Sequence, residues 1–158
     1  MRVLFVTQYG SLAASSRTRV FQYLPYLRQQ GIEVEVLTIL PDDAIAGSLA
    51  DVRRQPLRKI RYYLWALWRT WSTGLSVWSR GRRGDVLFIQ KVIFPAPIRR
   101  LLRCLCAPIV YDFDDAIFTT EVRSGYWLSR LKEARNASGV PAMLALAKQL
   151  TTDRETRL

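Results

Sequence analysis

The sequence predicts an α/β fold with a doubly wound, mostly parallel sheet, and three observations lead there. Short apolar runs rich in β-branched residues recur at VLFV (3–6), EVEVLTIL (33–40), DVLFIQ (85–90) and PIVYDF (108–113). Their hydrophobicity is largely continuous, as expected of strands covered on both faces, and segments with helical spacing lie between them as crossover helices would. With 158 residues, 49% of them hydrophobic, the chain can bury one sizeable core.

Taken in order, VLFV is the first strand and TQYGSLAAS the loop that leaves it. SRTRVFQYLPYLRQQG follows, with Val20, Phe21, Leu24 and Leu27 at helical spacing. Ser15 or Ser16 can cap its start and Gly31 can end it. Pro25 falls inside this expected helix, where it costs about 3 kcal/mol or kinks the axis. After EVEVLTIL comes PLRKIRYYLWALWRTWSTGLSVWSRGRRG. Here Leu57, Ile60, Leu64, Leu67, Trp68, Trp71, Leu75 and Trp78 form one helical stripe, expected to face the core, and Arg58, Lys59, Arg61 and Arg69 lie off it. DVLFIQ and PIVYDF complete the expected strands. Beyond them, GYWLSRLKEARNASG reads as a helix ending at a break, VPAMLALAKQL as another with Pro141 in its first turn, and TTDRETRL as a polar end.

Composition excludes several chemistries. There is no histidine, so Ser-His-Asp and Cys-His catalytic groups are ruled out and the commonest metal ligand is gone. Cys104 and Cys106 are too near in sequence to bridge on a helix and read as reduced, buried thiols. No signal peptide is evident, and the most hydrophobic stretch, Ile60 to Trp78, is interrupted by Arg61 and Arg69, so a cytoplasmic protein is expected. Asn136-Ala137-Ser138 matches a glycosylation sequon, which that location makes a chance match.

The net charge of +11 is uneven: residues 1–50 carry 4 basic and 4 acidic groups, 51–110 carry 13 and 2, and 111–158 carry 7 and 7. The excess therefore belongs to the middle third and its aromatic-rich helix. Tyr62, Tyr63 and Trp65 lie largely outside the apolar stripe, and basic charge beside interfacial aromatics suits an anionic membrane surface. Plain packing against the sheet is the other reading of the same helix. Nucleic acid is a competing polyanion, but no nucleic-acid motif is present and none is expected as a partner.

In such a sheet ligands bind beyond the carboxyl ends of the strands. Those ends are Thr7 to Ser16, Pro41 to Asp43, Gln90 to Val92 and Asp112 to Asp115. The last belongs to YDFDDAIF, where Asp112, Asp114 and Asp115 gather three carboxylates in four positions. Each can also cap a following turn or pair with an arginine.

MRVLFVTQYG, ASSRTRVFQYLPYLRQQGIEVEV, DVLFIQKVIFPAP and PIVYDFDDAIF, in order over residues 1–118, resemble the amino-terminal half of glycosyltransferase family 4 enzymes of the GT-B fold. The resemblance implies a Rossmann-like amino-terminal domain over 1–118 that holds the acceptor, with 119–158 a helical extension of it, and a separate donor-binding domain or chain not seen here. It implies retaining hexosyl transfer from a nucleotide sugar, the co-substrate, to a lipid-linked or cell-envelope glycan acceptor, with no cofactor and no metal, at the inner face of a membrane. The loop at Tyr9, Gly10 and Ser11, with Ser15 and Ser16 of the next helix, would approach the acceptor or the diphosphate. Arg17 and Arg19 would bind an anionic group, or else be solvated first-turn arginines; Gln90 and Lys91 complete the edge. Many members of the wider family place a catalytic histidine after the fourth strand, and this chain departs from that. An aspartate, Asp114 foremost among Asp112, Asp114 and Asp115, would then orient the acceptor hydroxyl or take its proton. The DFD triplet also resembles the metal-binding DxD of GT-A enzymes, a second reading in which a divalent cation holds the diphosphate. Membrane contact would fall to Arg58, Lys59, Arg61, Tyr62, Trp65 and Arg69. A further alternative is a non-catalytic membrane-docking or scaffold module on the same sheet.

Overall fold

A computed structural model describes residues 1–44, 56–82, 84–105, 107–113, 127–147 and 149–152. The strands are β1 (Arg2–Tyr9), β2 (Glu33–Leu40), β3 (Val86–Gln90), β4 (Ile109–Phe113) and β5 (Gln149–Thr152). All pair in parallel, in the order β2-β1-β3-β4-β5. The helices are α1 (Ala14–Arg19), α2 (Leu24–Gln29), α3 (Pro56–Arg80), α4 (Ala96–Arg103) and α5 (Trp127–Leu146).

Alternate strand residues enter two separate cores. Val3 and Phe5 of β1 join Val20 and Leu24 of the first helical segment, flanked by Val36 and Phe88. Leu4, Val6, Leu87, Ile89 and Tyr111 point the other way and meet Val77, Ile98, Leu102, Val140 and Met143 from α3, α4 and α5. Strands with both faces buried explain why the apolar runs read as continuous. At the amino end of the sheet a charged cluster closes the edge. Arg2 Nη2 donates to Asp85 Oδ2 at 2.7 Å and to the Arg80 carbonyl at 2.6 Å, and Arg80 pairs with Glu35.

Several expectations are corrected. The single kinked helix over 15–30 is α1, a 3-10 turn at Phe21–Tyr23, and α2. The break comes at Val20 (φ −128°, ψ −65°), so Pro25 falls in the first turn of α2, where its missing N–H costs nothing. Ala13 occupies the cap position of α1 without a side-chain bond, and Ser15 and Ser16 lie inside the helix. Gly31, at φ 72°, does end α2.

The two expected carboxyl-terminal helices are one, α5, running through Gly139 and Pro141. Gly139 allows it to lie against Ile93, whose side chain meets the place a Cβ would take. Pro141 and Ala137 are both exposed, so the carbonyl that Pro141 cannot bond faces water. Gln149–Thr152 then adds a fifth strand where the sequence shows only a polar end, so the segment after 118 contributes to the same sheet. Cys104 is exposed at the end of α4, not buried, and Cys106 lies outside the described residues.

The largest correction concerns α3. Its apolar stripe was expected to face the core, yet Leu57 is 81% exposed, Leu64 62% and Trp68 61%, and Ile60, Leu67, Leu75 and Trp78 are exposed as well. Of the stripe, only Trp71 packs on the core. The inward face is made of Ala66, Thr70, Thr73, Gly74 and Val77, small enough for the helix axis to come close to the sheet and α4. At Gly74 a Cβ would meet Ile98 Cγ2 at 2.5 Å. Arg69 fixes the rotation by donating to the carbonyls of Thr38 (2.9 Å) and Ile39 (3.1 Å) at the end of the edge strand β2. Among the described residues no helix is long and apolar enough to cross a membrane.

Candidate functional site

Parallel pairing aligns one polar row across the carboxyl end of the sheet: Thr38, Thr7, Gln90, Asp112 and Thr151 are successive partners. Thr7, Gln90 and Asp112 are almost fully buried, at 0, 1 and 2% exposure. A polar row at this depth demands partners, and α1 supplies them. Gln90 Nε2 donates to the Ser15 carbonyl at 2.9 Å, Arg19 Nη1 donates to Asp112 Oδ1 at 2.6 Å, and the hydroxyls of Thr7 and Thr38 lie 3.1 Å apart. Gln90 Oε1 has no hydrogen-bond partner among the described residues.

The expected site residues therefore divide. Arg19, Ser15, Gln90 and Asp112 come together in one cluster, and Arg17 is exposed on the outside of α1. Ser16 is buried inside that helix. Arg19 is an ion-pair partner of the sheet, which corrects its reading as a solvated first-turn arginine. Asp112 enters the cluster with one carboxylate oxygen committed to Arg19, so any proton-accepting role competes with that pair. Asp114 and Asp115 lie outside the described residues.

At the β1 exit the structure places a carboxylate where a diphosphate was expected. Asp42, just after β2, accepts from the Leu12 N–H at 3.2 Å and the Ser11 hydroxyl at 3.3 Å. It sits so close over Gly10 that a Cβ there would collide with it. The loop of Tyr9, Gly10 and Ser11 thus holds an anion of the chain's own. The PDD following β2 carried the position of Asp42 but not this contact, which joins residues 30 apart.

On the opposite face a cavity of about 90 Å3 opens between the strand ends and α3. Gln8, Lys91 and Ile93 line it from the sheet side, and Tyr63, Leu67 and Thr70 from the helix. Lys91 has φ 59°, a left-handed conformation rare for a side chain of this size, and its N–H donates to the Asp112 carbonyl at 2.8 Å. Such backbone strain, roughly 1 kcal/mol or more, gathers at ligand-binding positions. Sequence reasoning placed Lys91 at the edge but missed the helix residues that roof this cavity.

Beneath the cluster Tyr111 is fully buried, its ring 5.8 Å from that of Phe113. Burial first, and the Asp112 charge second, push its phenol well above the usual range. Its hydroxyl has no partner among the described residues.

The membrane-contact set is split as well. Arg58 and Arg61 are exposed, and Tyr62 is half-buried with the rings of Tyr63 and Trp65 each 6.0 Å away. Trp65 packs against the core and Arg69 holds the end of β2, so those two do not face outward. The Lys59 side chain lies outside the described residues. Among the described residues no group of three or more acidic or cysteine side chains could hold a metal ion. No protein-family model matches the chain, and comparison with curated proteins gives no match.

Proposed function

We propose that this chain is the acceptor-side half of a GT-B glycosyltransferase: a doubly wound Rossmann-like domain that holds a glycan acceptor for retaining hexosyl transfer from a nucleotide sugar. The observation that carries the reading is the collection of Arg19, Gln90, Lys91 and Asp112 at the carboxyl edge, around the point between β1 and β3 where the strand order reverses. In parallel α/β sheets that reversal opens the crevice in which ligands bind. Gln8, Thr70 and Lys91, which line the cavity across the sheet from the cluster, offer hydrogen bonds to sugar hydroxyls, and Lys91 offers a charge to an acceptor phosphate. The donor site belongs to a second domain, on the same or another polypeptide, and the work is done on the cytoplasmic side of a membrane with a lipid-linked or cell-envelope acceptor.

The Asp42 contact supports this division of labour, because an internal carboxylate over Gly10 discourages a diphosphate from the same loop. The metal-dependent alternative loses support, since one oxygen of the first aspartate in the DFD triplet already faces Arg19. The non-catalytic scaffold reading draws on that same ion pair.

Isotope-labelled protein titrated with glycosides, lipid-linked sugars and nucleotide sugars tests the proposal. Acceptor-type glycans are expected to move the amide signals of Gln90, Lys91 and Val92, with nucleotide sugars inert until a donor domain is added. A response to nucleotide sugar alone, with none to any glycan, sinks the acceptor assignment. In the complete assembly Gln8→Ala and Lys91→Ala are expected to raise the acceptor KM; transfer that ignores both substitutions favours the scaffold.

A further inference from the structure

The outward face of α3 is the feature that neither the sheet nor the carboxyl-edge cluster uses. Leu57, Ile60, Leu64, Leu67 and Trp68, continued by Leu75 and Trp78, make one apolar band along a helix about 37 Å long. Monomeric proteins rarely expose a contiguous band of this kind without a partner. Charge narrows the occupant. Residues 56–80 contain no Asp or Glu, and Arg58 and Arg61, both exposed, flank the band at its amino end. The α3 of a second copy would offer these arginines no carboxylate, whereas an anionic lipid surface complements them. Tryptophan on the apolar face and arginine on its flank describe a helix that lies in the membrane interface plane without spanning.

We infer that α3 docks the protein on an anionic membrane, with the Leu57–Trp78 band inserted among the acyl chains and Arg58 and Arg61 against the headgroups. This differs from an arginine-led contact through Trp65 and Arg69, both of which face the core. It stands apart from the transfer reading, since docking needs no chemistry. Where both hold, the cavity beside Tyr63 and Leu67 adjoins the bilayer, so a lipid-linked acceptor reaches Lys91 without leaving it.

Flotation of the full chain with phosphatidylcholine vesicles, with and without phosphatidylglycerol, tests the inference. Binding is expected with the anionic vesicles and much less with the neutral ones. Burying one such side chain is worth roughly tenfold in partitioning, so Leu64→Gln/Trp68→Gln is expected to weaken binding about a hundredfold. Both positions are exposed, and an unchanged melting temperature establishes that the variant is folded. Arg58→Gln/Arg61→Gln is expected to remove the preference for anionic lipid while keeping residual binding. Brominated lipids should quench tryptophan emission in the parent and less in Trp68→Phe/Trp78→Phe. Absence of binding to anionic vesicles, or binding indifferent to Leu64→Gln/Trp68→Gln, overturns the proposal. So does a dimer in sedimentation that this double substitution dissociates, because the band is then its own partner.

Discussion

Replacing Arg19 by methionine keeps most of the side-chain length but removes the guanidinium 2.6 Å from Asp112. The two partners differ in what they lose. Asp112 is 2% exposed and would keep its buried charge without the guanidinium beside it, whereas the Arg19 side chain is 20% exposed and can turn towards water. Removing one partner of a buried pair costs about 3–5 kcal/mol, so Arg19→Met is expected to lower the melting temperature by roughly 10 °C. Asp112→Asn keeps the shape and an accepting oxygen, and its expected cost is about 1–2 kcal/mol. The informative variant is the double one. Adding Asp112→Asn to Arg19→Met removes the buried carboxylate charge that lost its guanidinium and should restore about 2 kcal/mol, read as a higher urea midpoint at constant m-value. Costs that simply add, or a double variant less stable than Arg19→Met, would refute the ion pair as the link between α1 and β4.

Four further expectations follow from the same structure. Tyr111→Phe removes a buried hydroxyl with no described partner and should leave stability equal or raise it by about 1 kcal/mol; a loss of that size would reveal a partner. The raised phenol pKa has a definite sign: stability from neutral Tyr111 is complete below about pH 10 and falls by about 1.4 kcal/mol per pH unit above it, so the alkaline limb of a stability–pH curve should flatten in Tyr111→Phe. Gly139→Ala is expected to cost about 1–3 kcal/mol by pushing α5 off Ile93, and Ile93→Ala in the same chain should recover part of it; a melting temperature unmoved by Gly139→Ala argues against that close approach. Asp85→Ala strips the Arg2 guanidinium of its nearer carboxylate at the far edge of the sheet, leaving Glu35 at 3.9 Å, and a loss of about 2 kcal/mol with glycan or vesicle binding unchanged would mark that cluster as structural alone.

Four of the five described strands were legible because a strand covered on both faces is apolar along most of its length, as VLFV and DVLFIQ are. QLTT was not, because it carries little apolar signal and depends on β4 for its pairing. The polar cluster was half legible. Strand ends point to Gln90, Lys91 and Asp112, but nothing local says that Arg19, 93 residues earlier, faces Asp112. The face of α3 was misread for a physical reason: periodicity shows that a helix has an apolar side, not which neighbour that side meets. Ala66, Thr70, Thr73 and Gly74 carried the contrary signal, since a row of small side chains is what a close helix–sheet contact requires.

The strand order has a consequence during synthesis. β1 lies inside the sheet, yet its two neighbours arrive at very different times: Val3 pairs with Val34 on one side and with Val86 on the other. The chain between Val34 and Val86 takes roughly 3–10 s to emerge at ordinary translation rates. For that interval the nascent β1–β2 unit presents Leu4, Phe5 and Val6 along an open hydrogen-bonding edge, the kind of template on which chains stick to one another. Slower elongation through the segment before β3 lengthens the exposure, and holdase chaperones are the cellular means of covering it.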